Sequence, residues 1–236
     1  MKTIFFILLF LCMLILSACS NFYTKAFDDK NTVAHQTEDG NNSNNGNNSN
    51  NAPQVEINSY PNFYVSGVEI SANASDIDED MLSYQWSELS DHGVQFSEPN
   101  NLTTTVSYSA FSEGVAVIKV DLRLTVNDGI KSNSDDISIF IYRDDYIYVA
   151  KDGLGDGFSP NSPRAEPIND AIDYAVAYTK SGVAIAAGLY EVTYAASNGS
   201  QVVLQNGISL FGGYNQTTWL RDVSANETII LDLSNN

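Results

Sequence analysis

Between residues 53 and 142, apolar and polar side chains alternate with a period of two. Val68, Ile70 and Ala72 set the pattern, and Leu82, Tyr84 and Trp86 repeat it. Val120, Leu122, Leu124 and Val126 give its longest stretch, followed by Ile137, Ile139 and Ile141. That period puts alternate side chains on one face of an extended strand. Turn-forming residues separate the stretches: Pro61-Asn62, Asp78-Glu79-Asp80, Glu98-Pro99-Asn100 and Asn127-Asp128-Gly129. About seven short strands, each with one apolar face, predict an antiparallel sandwich with Trp86 in its core.

From Tyr146 the pattern changes. Tyr146-Ile147-Tyr148-Val149-Ala150 predicts a strand, and residues 151–163 a Gly/Pro-rich loop. Ile168, Ala171, Ile172, Ala175, Val176 and Thr179 fall at helical spacing, with Pro167 placed for the first turn and Gly182 for the stop. One amphipathic helix beside strands predicts a cap over an open end. Short apolar strands are expected at 183–186, 202–204, 208–211 and 228–231, and Gly188-Leu189-Tyr190 is echoed by Gly212-Gly213-Tyr214 24 residues on. A rung of roughly 20–25 residues built of short strands predicts a parallel β-helix.

The N-terminus carries a different signal. A basic start, Met1-Lys2-Thr3, precedes an apolar run over residues 4–16. That run is shorter than the roughly 20 residues a bilayer span needs and matches a signal-peptide core. It ends in Leu16-Ser17-Ala18-Cys19, which resembles the lipobox of bacterial lipoproteins. The resemblance implies that residues 1–19 are a signal peptide and that Cys19 is acylated, so that the lipid holds the chain to a membrane. It implies a place in the cell envelope, and Ser20 rather than Asp after the cysteine leaves delivery to the outer membrane or cell surface open. Residues 20–52 read as a flexible tether: in the twelve residues from Gly40, eight are Asn, and Asn, Ser and Gly bury little and resist both helix and central strand.

Composition narrows the functions. Eleven Lys and Arg stand against 29 Asp and Glu, a formal charge of −18. A general nucleic-acid binder needs clustered basic residues, so that class is excluded. With Cys12 in the signal peptide and Cys19 lipidated, no disulfide is expected, and stability must come from burial or oxygen-ligated metal.

Two further resemblances refine the halves. Residues 74–86, Ala-Ser-Asp-Ile-Asp-Glu-Asp-Met-Leu-Ser-Tyr-Gln-Trp, with Leu124-Thr125-Val126-Asn127-Asp128-Gly129, resemble the signatures of PKD and cadherin-like immunoglobulin-fold modules, assigned to residues 53–143. Such modules act as spacers or bind proteins and glycans. Some hold Ca²⁺ at one end, which makes Asp76, Asp78 and Asp128 the candidate metal ligands here, with Asp80 and the Asn58 region beside them. Carboxylates two residues apart on a turn can converge on a cation that takes six to eight oxygens at about 2.3–2.6 Å.

Residues 144–236 resemble the opening of right-handed parallel β-helix domains of the pectin-lyase-like type. The resemblance rests on Tyr148-Val149-Ala150-Lys151-Asp152-Gly153, Leu210-Phe211-Gly212-Gly213-Tyr214 and Trp219-Leu220-Arg221-Asp222. The resulting fold class is mainly β: an immunoglobulin-like sandwich, then a truncated β-helix with one N-terminal capping helix. Two or three rungs leave an open edge, so the chain reads as the front of a longer protein or as one that self-associates.

The chemical signals are sparse. Asp170 and Asp173 share a helix face with no cleft, and glycoside hydrolysis needs carboxylates flanking one. Arg221-Asp222 reads as a structural pair or turn, and Asp152 to Gly157 as a surface loop. His35 and His92 are expected to have no partner. The expectation is a non-catalytic, lipid-anchored surface protein presenting a binding or adhesion module for a glycan or protein. The alternative is a polysaccharide lyase or glycosidase lacking its catalytic rungs.

Overall fold

The computed structural model describes residues 49–232, apart from 61, 166 and 193–201. The segments expected to be a signal peptide and most of the tether, with Cys19, lie outside the described residues. The period-two region forms eight strands: β1 (Gln54–Ile57), β2 (Phe63–Val65), β3 (Val68–Ser75), β4 (Ser83–Glu88), β5 (Gln95–Phe96), β6 (Thr103–Ser107), β7 (Val117–Asn127) and β8 (Ser132–Tyr142). They make two four-stranded sheets, ordered β1-β3-β6-β5 and β2-β8-β7-β4. Every pair is antiparallel but one. β2 runs parallel to β8, with Phe63 opposite Phe140, where an antiparallel sandwich throughout was expected. A period of two carries no information about strand direction; the link from β1 to β2 decides it.

The alternation sets the core. Val120, Leu122, Leu124 and Val126 of β7 are fully buried, and they pack in one cluster with Ile70, Val106, Ile139, Ile141 and Trp86. Burial of each such side chain contributes roughly 1.5–3 kcal/mol against the entropy of ordering the chain. Trp86 does more than pack: its indole N–H donates to the Asn101 carbonyl at 2.9 Å, so the polar atom is satisfied inside the core.

The second half is built on parallel pairing. It contains β9 (Tyr146–Val149), α1 (Ile168–Ala177), β10 (Gly182–Ala186), β11 (Gly188–Val192), β12 (Ser209–Tyr214) and β13 (Thr228–Asp232). One sheet runs β12-β10-β9 and a second pairs β11 with β13, all parallel. Both faces of the first sheet are covered, which is why β9 and β10 read as unbroken apolar runs. Ile147, Val149, Val183 and Ile185 meet Ile168, Ala171, Ile172 and Ala175 of α1. Tyr146, Tyr148, Ala184, Ala186 and Tyr214 face the other way, onto Ala116 and Val117 of the sandwich region. The described residues fall in one compact unit, so the two halves share a core rather than hanging as separate beads.

Four local expectations are corrected. Gly182 does not stop α1; it opens β10. The stop is a Schellman turn with Thr179 at φ 55°, closed by Lys180 N–H to Ala175 O at 2.7 Å and Thr179 N–H to Val176 O at 3.2 Å. Pro167 is the N-cap rather than a first-turn residue. Val202-Val203-Leu204 forms no strand, and the Val203 amide instead donates to Asn169 Oδ1. The two Gly-x-Tyr motifs do not stack: Tyr190 lies opposite Ile230, and Tyr214 opposite Ala186. Gly182 pairs with both Tyr146 and Ser209, and Gly188 with Thr228. Each of those turns exceeds the roughly 20–25 residues expected, because loops and α1 are inserted between strands.

Candidate functional site

The loop from β3 to β4 carries the acidic motif. Asp76 folds it locally: its Oδ1 accepts the amide of Asp78 at 2.8 Å, an Asx turn of the kind short acidic side chains favour. Glu79 takes a positive φ of 60° to complete the bend. The result draws Asp76, Asp78 and Asp80 together, one oxygen of each lying within 4.8 Å of the others. Among the described residues this is the one acidic group so arranged. Asp76 Oδ2 is sealed from solvent and has no hydrogen-bond partner. A buried carboxylate oxygen without a donor is costly unless something cationic meets it.

Asp128 is engaged in hydrogen bonds of its own. Its Oδ1 accepts the amides of Ile130 and Lys131 at 2.7 and 2.6 Å, and its Oδ2 accepts the Asn50 side-chain amide at 2.9 Å. The Lys131 amide leads in holding its carboxyl below the usual aspartate range. Asp128 is therefore a turn-forming residue beside the loop, and the third carboxylate of the group is Asp80. Asn58 is further removed. It sits opposite Ser71 in mid-strand, donating to the Ser71 hydroxyl, while the acidic loop begins only after Ser75.

What the loop grips was not foreseen. Asp78 accepts the Asn51 main-chain amide at 2.6 Å and the Asn51 side-chain amide at 3.0 and 3.2 Å. Lys131 donates to the Asn50 carbonyl, and Asn133 to that of Pro53. The last residues of the tether are thus clamped onto the acidic end of the sandwich. The signal lay in the tether itself, where Asn supplies both a donor-rich side chain and a free main-chain amide.

The remaining candidates resolve simply. Asp170 and Asp173 are exposed on α1. Asp222 accepts the Ser224 and Ala225 amides in a turn, while Arg221 donates to the Gly212 carbonyl. In the 152–157 loop the Gly155 and Gly157 amides are used on Pro163 and Ser162 carbonyls. His92, expected to be alone, lies 3.4 Å from Glu88, whose carboxylate also accepts the His92, Gly93 and Val94 amides. No helix among the described residues is long and apolar enough to cross a membrane.

No protein-family model and no curated protein matches the chain. Solved structures similar to it include cadherin extracellular domains. Human protocadherin-24 EC1-2 is 14% identical with a TM-score of 0.28, covering 43% of this chain and 53% of that one. Drosophila N-cadherin EC1-3 is 16% identical at TM-score 0.30, covering 40% and 34%. Mouse cadherin-23 EC22-24 is 15% identical at 0.29, covering 44% and 42%. The chain thus spans about half or less of the structures it matches. At TM-scores this low the fold rests on the strand order and register above.

Proposed function

We propose that the chain is a non-catalytic, lipid-anchored protein of the cell envelope or surface, displaying a binding or adhesion module whose second half opens a right-handed parallel β-helix. The observation that carries this reading is the shared core. Tyr148, Tyr214 and Trp219 pack with Ala116 and Val117, so sandwich and parallel sheets make one body at the end of a polar tether. Two features support the β-helix: parallel stacking of β9, β10 and β12, and the turn at Ala187 that passes the chain from one parallel sheet to the other. The lipobox residues ending at Cys19 support the anchor.

Calcium fits the acidic loop. Asp76, Asp78 and Asp80 would hold the ion, and the orphaned Asp76 Oδ2 is the atom best explained by it. The ion would offset repulsion among the carboxylates and stiffen the joint where the tether enters β1.

The deciding experiment applies the full mature chain to glycan and protein arrays and to polysaccharide-cleavage assays. Binding without turnover supports the reading. Turnover overturns it in favour of a polysaccharide lyase or glycosidase, and silence on every array removes the binding role. Labelled palmitate should enter the wild type and not Cys19→Ala. Millimolar Ca²⁺ should raise the melting temperature, EDTA should reverse it, and Asp76→Asn should abolish the shift; an unmoved wild type removes the calcium site.

A further inference from the structure

Three large apolar side chains stand in solvent at one end of the sandwich. Ile77 is 79% exposed, Met81 90% and Ile130 74%. Ile77 and Met81 lie on the loop from β3 to β4, and Ile130 on the turn between β7 and β8. Neither loop needs them for its own fold. Ala74 and Leu82 flank the first loop and pack on the core cluster, and Asp128 closes the second by accepting the Ile130 and Lys131 amides. Single exposed apolar residues are common on protein surfaces. These three are gathered in one place, because Asp78 of the first loop and Asp128 and Lys131 of the second all grip Asn50 and Asn51.

The chain path gives this patch a partner. The chain enters the body at the same end, through Asn50 and Asn51, so the tether expected over residues 20–52 leads from these tips to Cys19. β7 spans Val117 to Asn127, roughly 34 Å of extended chain. The apolar tips adjoin its Asn127 end, and the second half packs at the other, on Ala116 and Val117. Of the whole body, the tip is therefore the part whose distance from the anchor's own bilayer the tether limits most closely. A linked contact of this kind is intramolecular, so a weak affinity is enough to populate it. Charge selects the lipid. Asp78, Glu79 and Asp80 are exposed beside the tips, and Lys131 is the one cation on the two loops. In a chain of formal charge −18, such an end is repelled by an anionic surface. A zwitterionic surface bearing primary ammonium groups suits it, since ammonium meets carboxylate, and phosphate meets Lys131, by charge-assisted hydrogen bonds.

We propose that this end of the sandwich rests on a phosphatidylethanolamine bilayer, with Ile77, Met81 and Ile130 in the headgroup layer, Glu79 and Asp80 facing ethanolamine ammonium groups and Lys131 facing phosphate. The depth needed is small, because interfacial apolar groups settle only about 5–10 Å into the headgroup boundary. The docked body stands upright, sandwich tip down, and presents its parallel sheets away from the membrane. This inference deepens the lipid-anchored reading and rests on it.

The test places the full acylated chain in phosphatidylethanolamine–phosphatidylcholine vesicles that carry a nitroxide-labelled lipid. EDTA is present, so that the calcium site has no part in the result. With Cys12 removed and Cys19 acylated, one introduced cysteine is the single free thiol. Met81→Cys, Ile130→Cys and, as the reference, Val223→Cys each receive an environment-sensitive dye. Val223 is 64% exposed and lies beside Glu113, Gly114 and Val115, at the far end of β7. Quenching by the nitroxide should be several-fold greater at positions 81 and 130 than at 223. Adding Ile77→Ser, at an exposed position that the fold does not need, should remove most of the signal at 81, as should replacing phosphatidylethanolamine by phosphatidylglycerol. Equal quenching at all three positions overturns the inference, as does a signal at 81 that survives either change. A dye shift at 81 without quenching also overturns it, by placing protein rather than lipid against the tips. If the docking fails while palmitate has entered Cys19 in the same preparation, the anchor stands and only this inference falls. Without palmitate at Cys19, both fall.

Discussion

The Tyr214 hydroxyl donates to the Gly114 carbonyl at 2.7 Å, joining residues 100 positions apart inside a buried contact between the two halves. The neighbouring Tyr148 hydroxyl reaches the carbonyls of Ala116 and Arg143 at 3.1 and 2.8 Å, and the Gly114 amide donates to the Tyr146 hydroxyl at 3.3 Å. Residues 114–116 are therefore held by three tyrosines of the parallel sheets. Tyr214→Phe keeps the ring but leaves the Gly114 carbonyl buried without its donor. It should lower stability by about 1–3 kcal/mol. Denaturant unfolding followed by both tryptophans, Trp86 in the sandwich and Trp219 beyond it, should still show one transition in the wild type. Two separated transitions there would contradict a shared core.

The same tyrosines fix the alkaline limit. Burial pushes the phenols of Tyr148 and Tyr214 well above the usual tyrosine value. In the unfolded chain they would ionise near pH 10. A folded pKa raised above the unfolded one gives stability that is complete below pH 10 and lost as pH rises beyond it. Stability should fall steeply above pH 10, and spectrophotometric titration should show these two phenols ionising only on unfolding. A Tyr148→Phe/Tyr214→Phe variant should start less stable but lose less above pH 10.

How far the sequence could be read follows from what each residue's neighbours contribute. Val120, Leu122, Leu124 and Val126 were legible because one strand buries one face, and nothing distant alters that. The β2–β8 direction was not, since pairing depends on chain path rather than pattern. The helix face was legible from spacing, but its C-cap was not: Thr179 adopts a conformation usually left to Gly, and Gly182 was a stronger lure nearby. The approach of Asp76 to Asp78 was legible because the turn is local. Asp80 displaced Asp128 in the group because Asp128 meets the amides two and three residues on, a local use that the family resemblance masked. The clamp on Asn50 and Asn51 depends on contacts some 27 to 81 residues away, and repetitive composition hid it.

On the acid side, Asp145 is the residue to change. Arg143 grips it through Nε and Nη2 at 2.6 and 2.7 Å, and the Ser181 hydroxyl also donates to it. The Arg143 hydrogen bonds lead in holding its carboxyl below the usual range. A depressed folded pKa adds stability that is present above the unfolded value near 4 and is lost as pH falls through the folded one. The carboxylate is partly open to solvent, which screens the pair, so Asp145→Asn should cost only about 1 kcal/mol at neutral pH. The variant should also show a flatter decline in melting temperature between pH 5 and pH 2, a range taken from the ordinary titration of aspartate at about 3.9. An equally steep decline would mean that other carboxylates, such as Asp121 with Lys119 and Ser138, dominate the acid limb.

Gly182 tests the parallel stack at its tightest point. It lies in register with Tyr146 on one side and Ser209 on the other. A Cβ there would lie 2.9 Å from Tyr146 Cε1 and 3.0 Å from the Ser209 carbonyl oxygen. The tyrosine ring cannot swing clear, because Arg143 sits 4.0 Å above it and Phe211 stacks against it at 5.7 Å. The carbonyl belongs to the strand itself. Backbone separation is the remaining relief, and it would weaken the Ser209 N–H to Ser181 O bond at 3.0 Å. Gly182→Ala should therefore destabilise by about 1–3 kcal/mol, the usual range for overpacking a tight interior. Gly182 itself has no positive φ, so the crowding rather than its backbone conformation resists alanine. Hydrogen exchange should localise the loss to β10 and β12 while β7 and β8 keep their protection. A neutral or stabilising Gly182→Ala would show that β9, β10 and β12 are not stacked in this register.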